Sequence, residues 1–116
     1  MQSIPEKGRR WVPHGDTLPQ EAGAGVTRRI LAYTDGLMCV ENTFEAGSVG
    51  APHSHPHTQI TYVMDGALEF TMDGETKIMR KGDSVFIKPY AVHKAVAIED
   101  TMLIDMFAPM REDFIE

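Results

Sequence analysis

An all-β barrel or double-sheet sandwich is the fold class this sequence predicts, on three observations. Gly and Asp punctuate the chain at short intervals, the runs between them are rich in β-branched, aromatic and Met residues, and no segment sustains a long helical period. Asp35-Gly36, Asp65-Gly66 and Asp73-Gly74 repeat a two-residue turn signal, and Lys81-Gly82-Asp83 adds a fourth break. About eight short strands follow, over residues 26–33, 37–44, 59–64, 67–72, 76–79, 84–87, 92–98 and 101–107. In 67–72 the alternation is explicit: Leu68, Phe70 and Met72 share one face, while Glu69 and Thr71 take the other. Residues 110–115 allow one last helical turn.

The chain has 116 residues, 42% of them hydrophobic, enough for one core and too few for two. Residues 1–25 hold three prolines, several glycines and little periodicity. They predict an N-terminal arm, with one edge strand near Trp11-Val12 and Trp11 as its packing anchor. The barrel proper occupies 26–116, ending in a short C-terminal tail. Two of its strands are apolar on both faces. Ile60, Tyr62 and Met64 accompany Val63, and Met102, Ile104 and Met106 lie opposite Leu103 and Phe107. Either the arm or a second copy of the chain must cover the outer set, and a homodimer is expected.

Seventeen acidic against eleven basic residues give a net charge of −6. That balance repels a phosphate backbone, and Arg9-Arg10 and Arg28-Arg29 are too short to offset it, so nucleic acid is excluded as a partner. The single cysteine, Cys39, has no internal disulfide partner, which fits a reducing compartment. No apolar run reaches signal-peptide or bilayer-spanning length. A cytoplasmic protein without a membrane partner is the expectation.

Three of the five histidines fall in His53-Ser54-His55-Pro56-His57, followed by Thr58-Gln59. On an extended chain His53, His55 and Gln59 have the same parity, so two imidazoles and an amide can line one face. Such a set suits Zn, Ni, Fe or Mn, whereas calcium or magnesium calls for more oxygen ligands. His93 is the natural fourth ligand, since His14 lies in the irregular arm. A solvated loop cluster is the competing explanation; histidines that alternate into a strand favour the metal. His57 keeps the parity, but Pro56 disturbs the geometry before it, so His57 is read as lining the site.

Gly47-x5-His53-x-His55-x3-Gln59-x6-Gly66 resembles the first motif of the cupin superfamily, with Gln where that motif has Glu. Gly82-x5-Lys88-x-Tyr90-x2-His93-x3-Ala97 resembles the second at its Gly and His. It departs at the usual Pro (Lys88), Gly (Tyr90) and Asn (Ala97). The resemblance spans residues 26–108 and implies a double-stranded β-helix, the jelly-roll barrel of single-domain cupins. Within the superfamily, Ile30-Leu31-Ala32-Tyr33, the run from His53 to Val63, and Pro109-Met110-Arg111-Glu112-Asp113-Phe114 look like the KdgF family of small pectin-degradation cupins.

That closer resemblance implies an enzyme of isomerase type. Its reaction would convert a 4,5-unsaturated uronate, left by pectin or alginate lyases, to the linear 5-keto-4-deoxyuronate. It further implies that His53, His55, Gln59 and His93 hold a divalent metal, and that Asp105, Phe107 and Arg111 are functional positions. Asp105 shares strand parity with Leu103 and Phe107, so it points into the barrel and is the implied proton carrier. The bland alternatives are a solvated Asp105, a core Phe107, and an Arg111 paired at the surface with Glu112 or Asp113. Three imidazoles and a neutral amide would leave the ion its full double charge, which makes the Gln compatible with Lewis-acid chemistry. Two other functions compete: a cupin metal dioxygenase, and a cupin that binds a sugar acid without turning it over.

Overall fold

The computed structural model of this chain describes residues 4–115. Its ten strands are β1 (Gln20–Gly23), β2 (Val26–Tyr33), β3 (Met38–Phe44), β4 (Val49–His53), β5 (Thr58–Asp65), β6 (Ala67–Met72), β7 (Glu75–Arg80), β8 (Ser84–Ile87), β9 (His93–Ala97) and β10 (Thr101–Ala108). Two sheets result, six-stranded in the order β1-β2-β3-β10-β5-β8 and four-stranded in the order β4-β9-β6-β7. Every pairing is antiparallel. Short 3₁₀ turns lie at His14–Asp16 and, in the tail where a last turn is predicted, at Glu112–Phe114. No helix among the described residues is long and apolar enough to cross a membrane.

The eight expected strands all form, with ends shifted by a residue or so, and β1 and β4 are added to them. β4 is Val-Gly-Ala-Pro-His, which has none of the alternation that marks a strand. Pairing with β9 makes it one. The three Asp-Gly pairs do different work. Only Asp73-Gly74 closes a two-residue hairpin, with φ of 49° and 82°, the double left-handed geometry that suits strand twist. Asp35-Gly36 sits inside a four-residue loop closed by the Thr34 N–H on Leu37 O. Asp65-Gly66 turns the chain from the six-stranded sheet into the four-stranded one.

The arm differs from expectation at Trp11, which is 83% exposed and lies in no strand. Polar contacts hold the arm instead. Arg29 donates to Thr17 O at 2.5 Å and to Thr17 Oγ1 at 2.9 Å, and Thr17 is fully buried. His14 lies 3.2 Å from Glu41. Arg29 and Glu41 are outward residues of β2 and β3, so the arm covers that half of the outer face and leaves Ile60, Tyr62 and Met64 of β5 exposed.

Inward residues form two apolar clusters. One contains Val26, Phe44, Val63, Leu68, Phe70 and Leu103, between the sheets. The other contains Ile30, Tyr33, Met38, Val40 and Phe107, closed by Met110, Phe114 and Ile115 of the tail. Polar inward residues lie between them.

Gly66 is the tightest point of the frame. Its φ is 91°, and an added Cβ would stand 2.3 Å from Asp100 O and 2.6 Å from Thr101 Oγ1. Gly66→Ala should destabilise the protein by at least about 2 kcal/mol, read as a lower denaturant midpoint with an unchanged slope.

Candidate metal centre and its cavity

β4 and β9 place His53 and His93 directly opposite each other in register. Their ring centroids are 4.2 Å apart. His55 follows in the connection from β4 to β5, its centroid 5.1 Å from that of His93. One ligand atom from each of the three lies within 4.8 Å of the others. The connection is not extended: between His53 and Thr58 the chain crosses from one sheet to the other. Gln59 therefore reaches the cluster from β5 in the opposite sheet, and not by the parity of one continuous strand. Its Oε1 stands 2.8 Å from His55 Nε2.

The turn after β8 supports this arrangement. Tyr90, at the position where the second cupin motif has Gly, holds φ at 67°, so the backbone keeps a conformation that glycine adopts freely. Its N–H donates to His55 O at 2.8 Å. The sequence departs from the motif at Tyr90, but the backbone there keeps a left-handed turn.

Tautomers follow from partners. The Nδ1 atoms of His53 and His93 lie 2.8 Å from the carbonyls of Ala51 and Ala91, two residues earlier in each case. A carbonyl only accepts, so both Nδ1 atoms carry the proton and both Nε2 atoms present a lone pair. His93 Nε2 is buried without a protein partner. Burial pushes the His55 pKa down to about 4, helped by the charge of Arg111, and burial likewise lowers that of His93. Both imidazoles are neutral near pH 7, the form that ligates a metal.

Behind the imidazoles lies a buried carboxylate. Asp105 projects inward from β10 and is 6% exposed. Its Oδ1 accepts from Thr61 Oγ1 at 2.5 Å and Gln59 Nε2 at 3.2 Å, and its Oδ2 accepts from Asn42 Nδ2. Desolvation raises its pKa, and those three donors oppose the rise. Asn42 and Thr61 were not singled out by the sequence. Their signal is an inward strand position, Asn42 between Val40 and Phe44 and Thr61 between Gln59 and Val63, filled by a polar residue.

A cavity of about 340 Å³ connects these groups, lined by His53, His93, Gln59 and Asp105 on one side and by Phe107, Arg28 and Arg111 on another. Phe107 is 3% exposed and serves core and cavity at once, edge-on to His55 at 5.7 Å between centroids. Arg111 also lines the cavity, but its fork is closed on Asp113, with Nε–Oδ1 at 3.0 Å and Nη2–Oδ2 at 2.8 Å. His57 is not one of the three clustered ligands, although its ring centroid is 5.3 Å from that of His55, and its Nε2 donates to Met110 O at 3.2 Å, beside the tail. Cys39 faces outward on β3, and burial pushes its thiol pKa up, away from the reactive thiolate.

This fold and this histidine cluster can be set beside known proteins. Residues 40–107 match the cupin domain family. The pectin degradation protein KdgF of Dickeya dadantii (strain 3937) is 38% identical over 109 residues, which cover 92% of this chain and 99% of that protein. The chain is a cupin of the KdgF family. The structure of KdgF from Halomonas sp. superposes on this cupin with a TM-score of 0.87 at 37% identity, covering 91% of this chain and 98% of that one. An RmlC-like cupin from Shewanella frigidimarina gives 0.89 at 35% identity, covering 93% and 97%.

The donor set of this cupin fits a divalent transition metal: three clustered imidazoles, a buried His93 Nε2 without a protein partner, and a Gln59 amide oxygen 2.8 Å from the imidazole of His55. His55→Ala and His93→Ala should each leave the purified protein with well under one equivalent of metal by elemental analysis. A full complement in both would remove these residues from the site.

Proposed function

We propose that this cupin linearises 4,5-unsaturated uronate monosaccharides to 5-keto-4-deoxyuronate. Its similarity to the KdgF proteins supports a role in uronate breakdown. The observation that carries the reaction is the juxtaposition of a buried, hydrogen-bonded carboxylate with a cluster of three imidazoles at one cavity. Ring opening breaks the bond between C1 and the ring oxygen. The C1 hydroxyl loses its proton and becomes an aldehyde, and the electron pair stays with the former ring oxygen as an enolate at C5. A proton added at C4 completes the ketone. Atoms and electrons balance without a redox cofactor.

A divalent Ni, Zn, Fe or Mn ion held by His53, His55, Gln59 and His93 would supply Lewis-acid stabilisation for the charge that develops on that oxygen. Asp105 is the group placed to take the C1 hydroxyl proton and return one to C4. Thr61 and Asn42 hold its two oxygens in place. Phe107 and the aliphatic wall exclude water from the enolate, and Arg111 sets a positive charge beside the site.

Lyase-generated unsaturated monouronate should lose its conjugated double-bond absorbance in the presence of the protein, under nitrogen as in air, and NMR should identify the linear ketone. A strict requirement for oxygen would point to dioxygenase chemistry, and binding without turnover to a sugar-acid receptor. Asp105→Asn should keep its metal while kcat falls by about 10²- to 10⁴-fold. A wild-type rate in that variant would place the proton carrier elsewhere.

We also propose that a second copy of the chain covers the outer face of β10, β5 and β8. Phe86, Ile60 and Met106 lie side by side there, with Tyr62 beside Ile104 in the next row. Ile60, Tyr62 and Phe86 are 43%, 38% and 59% exposed. None of these side chains carries a charge, in a chain whose net −6 otherwise opposes self-association. An uncharged antiparallel face meets its own copy by a two-fold rotation. Light scattering at micromolar concentration should give twice the chain mass, and Ile60→Glu should give the monomer. A monomeric wild type would overturn the assignment.

A further inference from the structure

The mouth of the cavity carries two arginines with different commitments. Arg111 is latched bidentately to Asp113, and that pairing holds the Asp113 carboxyl below its usual range. Arg28 has the opposite situation. It points inward from β2, half-buried, and among the described residues its one side-chain hydrogen bond is a long 3.4 Å contact from Nε to Gln20 Oε1. Among the described residues no carboxylate forms an ion pair with it. Its guanidinium stacks on Phe114 with Cζ 3.8 Å from the ring centroid, and Arg111 stacks on the same ring at 4.2 Å. Phe114 therefore fixes both planes while leaving the outer edge of Arg28 without a partner.

Position agrees with availability. Arg28 is the register partner of Asn42 on β3, and Asn42 donates to Asp105 on β10. Asn42 stands opposite Leu103 on β10, so the backbone of Asp105 lies two strand spacings across, about 10 Å, and two residues along, about 7 Å, from that of Arg28. Both side chains project to the inner face and line the same cavity of about 340 Å³, so they border one shared space. Burial and the charge of Arg111 both disfavour the Arg28 cation, and the charge of Asp113 offsets only part of this. An arriving anion would relieve both.

We propose that Arg28, rather than Arg111, is the residue that anchors the carboxylate of a sugar acid in this cavity. The proposal deepens the uronate reading and rests on it for the substrate, though the anchoring itself can be measured without turnover. Arg28 presents an open planar fork, already stacked and aimed into the cavity, whereas Arg111 would first have to release Asp113. Asp113 and the tail then act as a counter-ion that keeps Arg111 from competing for the same carboxylate.

The test compares binding of glucuronate and glucose to the metal-loaded wild type, Arg28→Gln, Arg28→Lys and Arg111→Gln, by calorimetry or NMR titration at low salt. Wild type should prefer glucuronate. Arg28→Gln should weaken glucuronate by about tenfold or more without changing the glucose signal or the metal content. Arg28→Lys, which keeps the charge and loses the fork, should recover part of the loss, and it decides the matter if the Gln variant fails to fold. In turnover of unsaturated uronate, Arg28→Gln should raise KM far more than it lowers kcat. Loss of glucuronate binding in Arg111→Gln with none in the Arg28 variants would overturn the proposal, as would equal binding of glucuronate and glucose by the wild type. If glucuronate binding depends on Arg28 but unsaturated uronate is not consumed, the anchor stands and the linearisation reading falls.

Discussion

A carboxylate sealed inside a β-sheet has to be met by donors, and in this cupin that requirement dictates the residues around Asp105. A carboxylate only accepts, so Thr61 directs its O–H at it and Asn42 and Gln59 direct N–H groups. The consequence passes straight to the candidate metal centre. With Nε2 of Gln59 committed to Asp105 and Thr61, its Oε1 has only one direction left, toward His55. A glutamate at position 59 would place a second negative charge within hydrogen-bonding distance of the first and offer no proton to it. The departure of this chain from the Glu of the first cupin motif is thus the choice that lets Asp105 occupy the neighbouring strand.

Holding that network in place takes a rigid strand. β10 is hydrogen-bonded on both edges, to β3 and to β5, along nearly its whole length. Its inward residues alternate between roles: Leu103 belongs to one apolar cluster, Phe107 to the other, and Asp105 lies between them. Core packing on either side clamps the one inward position of the strand that is filled by a charged residue. The outward residues of β10 and β5 are apolar as well, so the two strands that carry Asp105 and Gln59 are packed on one face and await cover on the other.

Much of this was legible in the sequence, and the parts that were not share a physical cause. Alternation and β-branched composition located eight strands, because those signals are local. β4 was invisible because its strand character comes from β9, not from Val-Gly-Ala-Pro-His itself. The three Asp-Gly pairs look alike in sequence, yet only one closes a two-residue hairpin; which sheet the next strand joins decides the turn. The histidine cluster was readable from spacing, although the chain brings Gln59 to it by crossing between sheets. Arg28, Asn42 and Thr61 come from three strands distant in sequence, and each looks alone like an ordinary strand residue. Their convergence is a property of the register. Trp11 shows the converse: a residue type that usually anchors is exposed, because Arg29 and Thr17 hold the arm by hydrogen bonds.

The electrostatics of the cavity run against those of the molecule. A chain of net charge −6 repels an anion at a distance, but salt confines that field to about 8 Å at physiological ionic strength. Within that range the lining decides. Among the described residues around the cavity the one carboxylate is Asp105, and three donors already share its charge. Two of the histidines are driven neutral by burial, so they contribute ligand lone pairs and little charge. Arg28 supplies an unpaired positive charge, stacked on Phe114 beside Arg111, whose own charge is held by Asp113, and Lys94 adds a further cation to the lining. The sign of the local field is thereby inverted at one opening, and that opening leads to the buried carboxylate. A neutral sugar gains nothing from such an arrangement. An anion small enough to fit beside Phe107 gains at the mouth what the rest of the surface would deny it.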